Sequence, residues 1–194
     1  MLSTDGGSLC FQSMPLAYPD PPLEQDRVRL RPWSLDDLDD VVRCCNDEQV
    51  RRFLPPIPIP YTPLDAEEFI TGADEALERD SVTMAACDAA SGELRGAVGM
   101  RMLEPEVAQF GYWVDPEARG RGIASTALAL ISRWVLRELA PARLQLFTDV
   151  ENEASMRVAE RAGFTREGVL RNWYDLRGER RDAVMFSLLP GDAG

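Results

Sequence analysis

Apolar and polar positions alternate over "DRVRLRPW", with Val28 and Leu30, extended by Pro32, on one face, and predict a first strand. After Ser34 the period changes. Leu35, Leu38, Val41 and Val42 recur at helical spacing, Ser34 supplies a cap, and Asp36 and Asp37 sit in the first turn, where the helix dipole favours anions. "NDEQVRRFL" continues as a short helical turn. "PPIPIPYTP" reads as a proline-stiffened loop that leaves Ile57, Ile59 and Tyr61 exposed or half-exposed. Thr62, Pro63 and Asp65 then provide cap, N1 proline and N3 acid for a helix running to about Arg79.

"SVTMAACDA" and "ELRGAVGMRML", separated by "ASGE", predict a hairpin, and "EVAQFGYWVD" a further strand. Ile123 to about Leu139 is a long amphipathic helix ended by Pro141. "RLQLFTDV" is a strand, "NEASMRVAERAG" a helix closed by Gly163, and "FTREGVLRNWY" and "DAVMFSLL" are two last strands joined around "LRGER". The order β-α-α-β-β-β-α-β-α-β-β implies one α/β (α+β) domain over residues 25–190. It has a mixed, mostly antiparallel sheet of about seven strands, flanking helices and a parallel crossover at the long helix. Residues 1–24, rich in Gly, Ser and Pro, are expected to be disordered. "LCFQSM" within them resembles a tag-protease remnant, with Met14 as the natural start, and the stretch lacks the basic and apolar regions of a signal peptide.

Charge narrows the partners. The 194 residues carry 21 basic and 33 acidic side chains, a net charge of −12. Such a chain has no broad basic footprint for nucleic acid and attracts cations, amines among them. No apolar run reaches the roughly 18 residues of a membrane span; "GIASTALALISRWVL" contains Ser125, Thr126 and Ser132 and is broken by Arg133. Every basic residue is arginine, and there is neither lysine nor histidine. That excludes a Ser-His-Asp triad, a Cys-His pair, a Walker A lysine, a Schiff base and a histidine zinc site. Cys10, Cys44, Cys45 and Cys87 form no CxxC pair and read as free thiols, buried or half-buried, in a reducing cytoplasm.

"DPEARGRGIAS" carries the most specific chemistry. Pro116 and Gly120 stop the preceding strand, and Gly122 lets a ligand approach bare backbone. The unpaired N–H groups of Arg121 to Ser125, at the mouth of the long helix, form an anion site to which Arg119 and Arg121 add charge. A phosphate or pyrophosphate is the ligand this predicts; a plain glycine turn opening a helix is the alternative. A dinucleotide fingerprint would need a third glycine where Ser125 stands.

The same residues match the Q/R-x-x-G-x-G/A motif of the GNAT acetyltransferase superfamily, with Arg119, Gly122 and Ala124 at its defining places. "GYWVDPEARGRGIASTALALISRWVL", "TDVENEASMRVAERAGFTREGVLR", "RVRLRPWSLDDLDDV" and "YTPLDAEEFI" resemble the RimJ/RimL-type subgroup, which acetylates protein N-terminal amines. The similarity spans about residues 26 to 189. It implies acetyl-CoA as co-substrate, no metal, and a pyrophosphate on the amides of Arg121, Gly122, Ile123 and Ala124. It also implies a pantetheine arm between splayed strands at Phe110–Val114 and Leu144–Asp149, with Tyr112, Trp113 and Val114 lining it. Asn152 matches the subgroup's cofactor-contacting asparagine and Ser155 a serine proposed to serve the departing thiolate.

Acetylation of an amine is direct attack on a thioester. A thiol of pKa about 8.5 leaves readily once its charge is stabilised, so positioning and a backbone N–H near Tyr112 to Val114 can supply much of the rate. Ser155 is a far weaker acid than that thiol and is read as a hydrogen-bond donor, with Tyr174 as a second donor; Asn152 and Ser155 also read as plain helix-start residues. The base is open. Where the subgroup carries glutamate this chain has Tyr174, Asp175 falls on the opposite strand face, and water or Glu106 is left. Trp113 and Trp134 read as core; Trp33, Trp173 and the "PPIPIPY" loop read as acceptor pocket. The implied function is acetyl-CoA-dependent N-acetyl transfer to a primary amine, on a protein N-terminus or a small, preferentially cationic molecule. Another acyl donor such as succinyl-CoA, and a non-catalytic CoA-binding module, are the alternatives. Monomer and homodimer both remain open.

Overall fold

The computed structural model describes residues 16–54, 57–104 and 106–192. Eight strands and five helices follow in the order β1 (Leu23–Gln25), β2 (Val28–Arg31), α1 (Leu38–Cys45), α2 (Glu48–Phe53), α3 (Pro63–Leu77), β3 (Ser81–Asp88), β4 (Leu94–Glu104) and β5 (Val107–Val114). Then come α4 (Ile123–Glu138), β6 (Arg143–Asp149), α5 (Glu153–Arg161), β7 (Thr165–Leu176) and β8 (Glu179–Leu188). One sheet, ordered β1-β2-β3-β4-β5-β6-β8-β7, holds them all, and every neighbouring pair is antiparallel except β5–β6.

Two differences from the sequence reading have clear causes. The sheet has eight strands because Leu23–Gln25 pairs with β2, setting Leu23 against Leu30. Leu16, from the same stretch set aside as disordered, is buried in the core, and Tyr18 packs beside it. Three residues next to prolines are too few to show an alternation. The "LCFQSM" segment lies outside the described residues. Three helices, not two, precede β3: the Asp47 carboxylate accepts from the Gln49 and Val50 N–H groups and so starts α2 as a helix of its own. The capping box read at Thr62 and Asp65 is present in α3.

Two cores lie on the two sheet faces. Leu128, Ile131, Trp134 and Val135 of α4 pack on Val82, Met84, Val98, Leu144 and Leu146. Val41, Cys45, Ala66 and Ile70 of α1 and α3 pack on Ala85 and Cys87. Burial raises the thiol pKa values of Cys44, Cys45 and Cys87 to about 12, 11 and 11, so these are inert packing groups at neutral pH. Tyr61, read as exposed or half-exposed, is buried: Asn46 accepts from its N–H at 3.0 Å and donates to its carbonyl at 2.7 Å. No helix among the described residues is long and apolar enough to cross a membrane.

One buried charge ties α1 to the loop after β5. Asp115 is fully buried and accepts from Arg43 at 2.9 and 3.2 Å and from the Glu117 N–H at 3.1 Å, with Arg95 at 3.8 Å. Burial pushes its pKa up, but the Arg43 and Glu117 hydrogen bonds outweigh burial, so the carboxyl stays below its ordinary value.

Candidate active site

The parallel pair β5–β6 is joined only at Val107, Ala108 and Gln109, opposite Arg143, Leu144 and Gln145; from there the two strands part. The Asp115 N–H donates to the Arg95 carbonyl in the register of β4, whereas the Glu106 carbonyl accepts from Arg143 on the β6 side. Since a strand turns alternate residues to alternate neighbours, the N–H and C=O of Tyr112 and Val114 face the gap, and those of Trp113 face β4. Two successive main-chain donor–acceptor sets thus stand without a strand partner.

The gap runs to the N-terminus of α4. Gly120 and Gly122 have φ of 75° and 81°, a left-handed conformation in which a Cβ is strained. A Cβ on Gly122 would meet nothing within 4 Å. The first helical bond is Thr126 N–H to the Gly122 carbonyl, so the N–H groups of Ile123, Ala124 and Ser125 precede helical bonding. All four other helices carry an acid in the first turn; α4 carries none, and its N-cap glycine has no side chain to cap it. Its positive end is left open, beside a cavity of about 850 Å³ lined from both arms of the gap.

Two tyrosines occupy opposite sides of that cavity. Tyr112 packs on the α4 face; its Oη donates to the Ser155 carbonyl at 3.0 Å and lies 2.7 Å from Ser155 Oγ. Burial pushes this phenol up to about 12. Leu144 and Leu146 of β6 belong to the α4 core, so Phe147 and Asp149 lie on the other face. There Tyr174 Oη donates to Asp149 Oδ2 at 2.6 Å, and its ring lies 5.4 Å from that of Phe147. Asp149 also accepts from Arg181 at 2.9 and 3.1 Å and from the Glu151 N–H at 2.8 Å. Burial raises its pKa, and the Arg181 and Tyr174 hydrogen bonds more than offset this, holding it below the usual carboxylate value.

Residues 27–165 match the family model described as the acetyltransferase (GNAT) domain. The chain belongs to the GNAT acetyltransferase family. Its relatives include the ribosomal-protein-serine acetyltransferase of Escherichia coli K12, 35% identical over 97 residues, a match covering 49% of this chain and 54% of that one. The spermidine N(1)-acetyltransferase of the same organism is 28% identical over 170 residues, covering 83% and 85%. Among solved structures, the ribosomal L7/L12 alpha-N-protein acetyltransferase RimL in complex with coenzyme A superposes with a TM-score of 0.76 at 22% identity, over 88% of this chain and 97% of that one, a likeness of fold.

In this GNAT chain several residues singled out from the sequence converge on the cavity and others do not. Tyr112, Trp113, Val114, Arg119, Gly122, Ile123, Ala124, Asn152, Ser155 and Tyr174 all line it. Arg121 is exposed and outside the lining. The Arg119 guanidinium is taken by Asp47 at the cap of α2, so it clamps that helix to the glycine loop. Asn152 caps α5, accepting from the Ser155 N–H at 3.1 Å. Trp113 lines the cavity and Trp33 stands behind it, stacked at 6.3 Å with its indole N–H on Thr83; Trp173 is 45% exposed and outside the lining. Trp33 and Trp113 thus exchange roles, because which helix covers which sheet face is invisible to strand periodicity, while Trp134 is buried in the core as read. Glu106 sits at the joined end of the β5–β6 pair, away from the opening, and Asp175 accepts from Gly178 in the β7–β8 turn. Asp149 was missed. Its signal was an acid at the open end of β6 in phase with Phe147.

Proposed function

We propose that this chain transfers an acetyl group from acetyl-CoA to a primary amine. The observation that carries the reading is the parting of β5 and β6 after Gln109 and Gln145, which leaves a gap ending at an open helix N-terminus. An extended amide-bearing arm fits the N–H and C=O groups of Tyr112 and Val114 as an added strand would, and a pyrophosphate fits the amides of Gly122, Ile123 and Ala124. The open space in front of Gly122 is what such a ligand requires. Trp113 contributes its ring and not its main chain, and Arg119 acts by holding the loop. Arg121 is an outer charge near the pyrophosphate.

Acetyl-CoA supplies the acetyl group as a thioester. The Tyr112 or Val114 N–H polarises its carbonyl, and the Ser155 hydroxyl, turning from Tyr112 Oη 2.7 Å away, donates a hydrogen bond to the sulfur as charge develops there. The acceptor enters from the face of Phe147 and Trp113. The named relatives act on a ribosomal protein and on spermidine, and both classes present a primary amine. The working site is cytoplasmic.

The test is release of free thiol from acetyl-CoA with a panel of amines: N-terminal peptides, polyamines and amine-free controls. Thiol release that depends on a primary amine is expected; CoA binding without turnover of any amine removes the reading. Two variants divide the roles. Asn152→Ala raises KM for acetyl-CoA. Ser155→Ala lowers kcat by about tenfold, for one lost hydrogen bond to a developing charge, and leaves CoA binding nearly unchanged. Wild-type kcat in a stable Ser155→Ala protein returns that serine to its place in the helix start.

A further inference from the structure

The acceptor amine must lose a proton as it is acetylated, and the side of the cavity it enters must receive it. From the arrangement around the Phe147 face, and resting on the proposed acetyl transfer, we infer that Tyr174 and Asp149 form the path that takes this proton. In this reading Tyr174 serves the amine and not the departing sulfur.

The hydrogen-bond direction carries the first step. Asp149, paired with Arg181, can only accept, so the Tyr174 hydroxyl points its hydrogen at Asp149 Oδ2, 2.6 Å from its oxygen. That hydrogen is therefore not free for a thiolate. The oxygen of Tyr174 keeps its lone pairs for a donor, and an amine is a donor. The geometry carries the second step. Ser155 and Tyr112 lie on the α4 face of the sheet, Asp149 and Tyr174 on the face of Phe147, and the β5–β6 gap passes between them. Leaving group and nucleophile thus have separate polar groups on separate faces.

The fold makes a local irregularity to place Tyr174. Leu170 pairs with Ala183 and Tyr174 with Arg181, so Arg171, Asn172 and Trp173 stand opposite Asp182 alone. Asn172, at φ 51°, closes this bulge by donating its N–H to Asp182 at 2.8 Å. The bulge sets Tyr174 across from the arginine that holds Asp149. Bulges beside active sites commonly re-aim a side chain in this way.

The chemistry balances. The neutral amine nitrogen bonds to the acetyl carbon, the C–S bond breaks, and its electron pair goes to sulfur. The nitrogen, now cationic, gives a proton to Tyr174 Oη while the tyrosine hydrogen passes to Asp149, which returns it to solvent; the thiolate, held by the Ser155 hydrogen bond, takes one proton from solvent, so the count closes. Arg181 and Tyr174 lower the basicity of Asp149, with Glu151, Glu179 and Arg52 completing the charged surroundings. A weak base suffices, because an amine nitrogen becomes strongly acidic as it bonds to an acyl carbon.

The test uses the full chain with acetyl-CoA and an amine series of graded pKa. Tyr174→Phe is expected to lower kcat by roughly tenfold to a hundredfold with KM for acetyl-CoA unchanged, and the deficit should shrink for less basic amines, whose adducts shed the proton unaided. Its affinity for CoA relative to desulfo-CoA should match the wild type. Asp149→Asn should show the same dependence on amine pKa, which a structural role, slowing all amines alike, would not produce; if it fails to fold, Tyr174→Phe decides alone. Wild-type kcat in folded Tyr174→Phe, or a changed CoA to desulfo-CoA ratio, overturns the inference. An inactive wild type removes the acetyl-transfer reading with it, whereas an active one with an indifferent Tyr174 removes this inference alone.

Discussion

Replacing Gly122 by valine lowers CoA affinity by about a hundredfold or more, close to 2.7 kcal/mol, while the far-ultraviolet circular dichroism stays native. Two effects act together. The residue caps α4 at φ 81°, where an L side chain costs about 1–2 kcal/mol. The new side chain also enters the open space in front of the unbonded Ile123 and Ala124 amides. No neighbour lies within 4 Å of its Cβ, so the backbone strain is the only cost to the fold and the protein should still fold. Gly122→Ala separates the effects, since it carries backbone strain with a single methyl group. Calorimetric titration with CoA should rank wild type, alanine and valine in descending affinity. A folded Gly122→Val protein that binds CoA within threefold of wild type would sink the anion cradle.

Arg43→Ala should destabilise the protein by about 3 kcal/mol, the lower end for breaking a buried ion pair, because Asp115 is fully buried while Arg43 is partly exposed. That corresponds to a fall in Tm of roughly 6–12 °C. The sign of the pH dependence follows from the Asp115 carboxyl, whose native pKa is lowered. A lowered carboxyl contributes stability above its unfolded value of about 3.9 and loses it as pH falls through the native value. In the variant, Asp115 keeps only Arg95 at 3.8 Å and the Glu117 N–H, so its ionised form becomes a burden. The difference in Tm between wild type and variant should therefore be widest near pH 7 and narrow towards pH 3–4. A pH-independent difference would assign the effect to lost packing of the arginine stem. Because Asp115 leads directly into the Pro116–Ala118 turn and the glycine loop, KM for acetyl-CoA should rise in the same variant.

The helix starts and the cofactor loop were legible because their physics is local. Thr62 with Asp65, Asn152 with its cap, and Gly122 with its left-handed φ each act within four residues of themselves. The strands were legible where they alternate. What stayed hidden depends on pairing across the chain. Asp149 meets Tyr174 through a bulge opposite Asp182, and no periodicity announces a bulge. Arg119 looked like a phosphate ligand until the fold brought Asp47 to it from 72 residues away. Trp33 and Trp113 exchanged roles because both face the α1–α3 side and only the packing of Phe69 and Thr83 decides which stands behind. β1 was lost because three residues carry too little pattern, even though Leu23 meets Leu30.

The cations lining the cavity, Arg101, Arg119, Arg157 and Arg161, are all guanidinium groups, in a chain without a single lysine or histidine. A guanidinium stays protonated at any working pH and is no nucleophile. The thiols of Cys44, Cys45 and Cys87 are buried and held in the unreactive protonated form. An activated acyl group held in this cleft thus meets only cations that cannot capture it, and the described protein offers it no side-chain amine. Self-acylation, a standing hazard for any protein that stores a thioester beside its own lysines, has no side-chain amine here on which to begin.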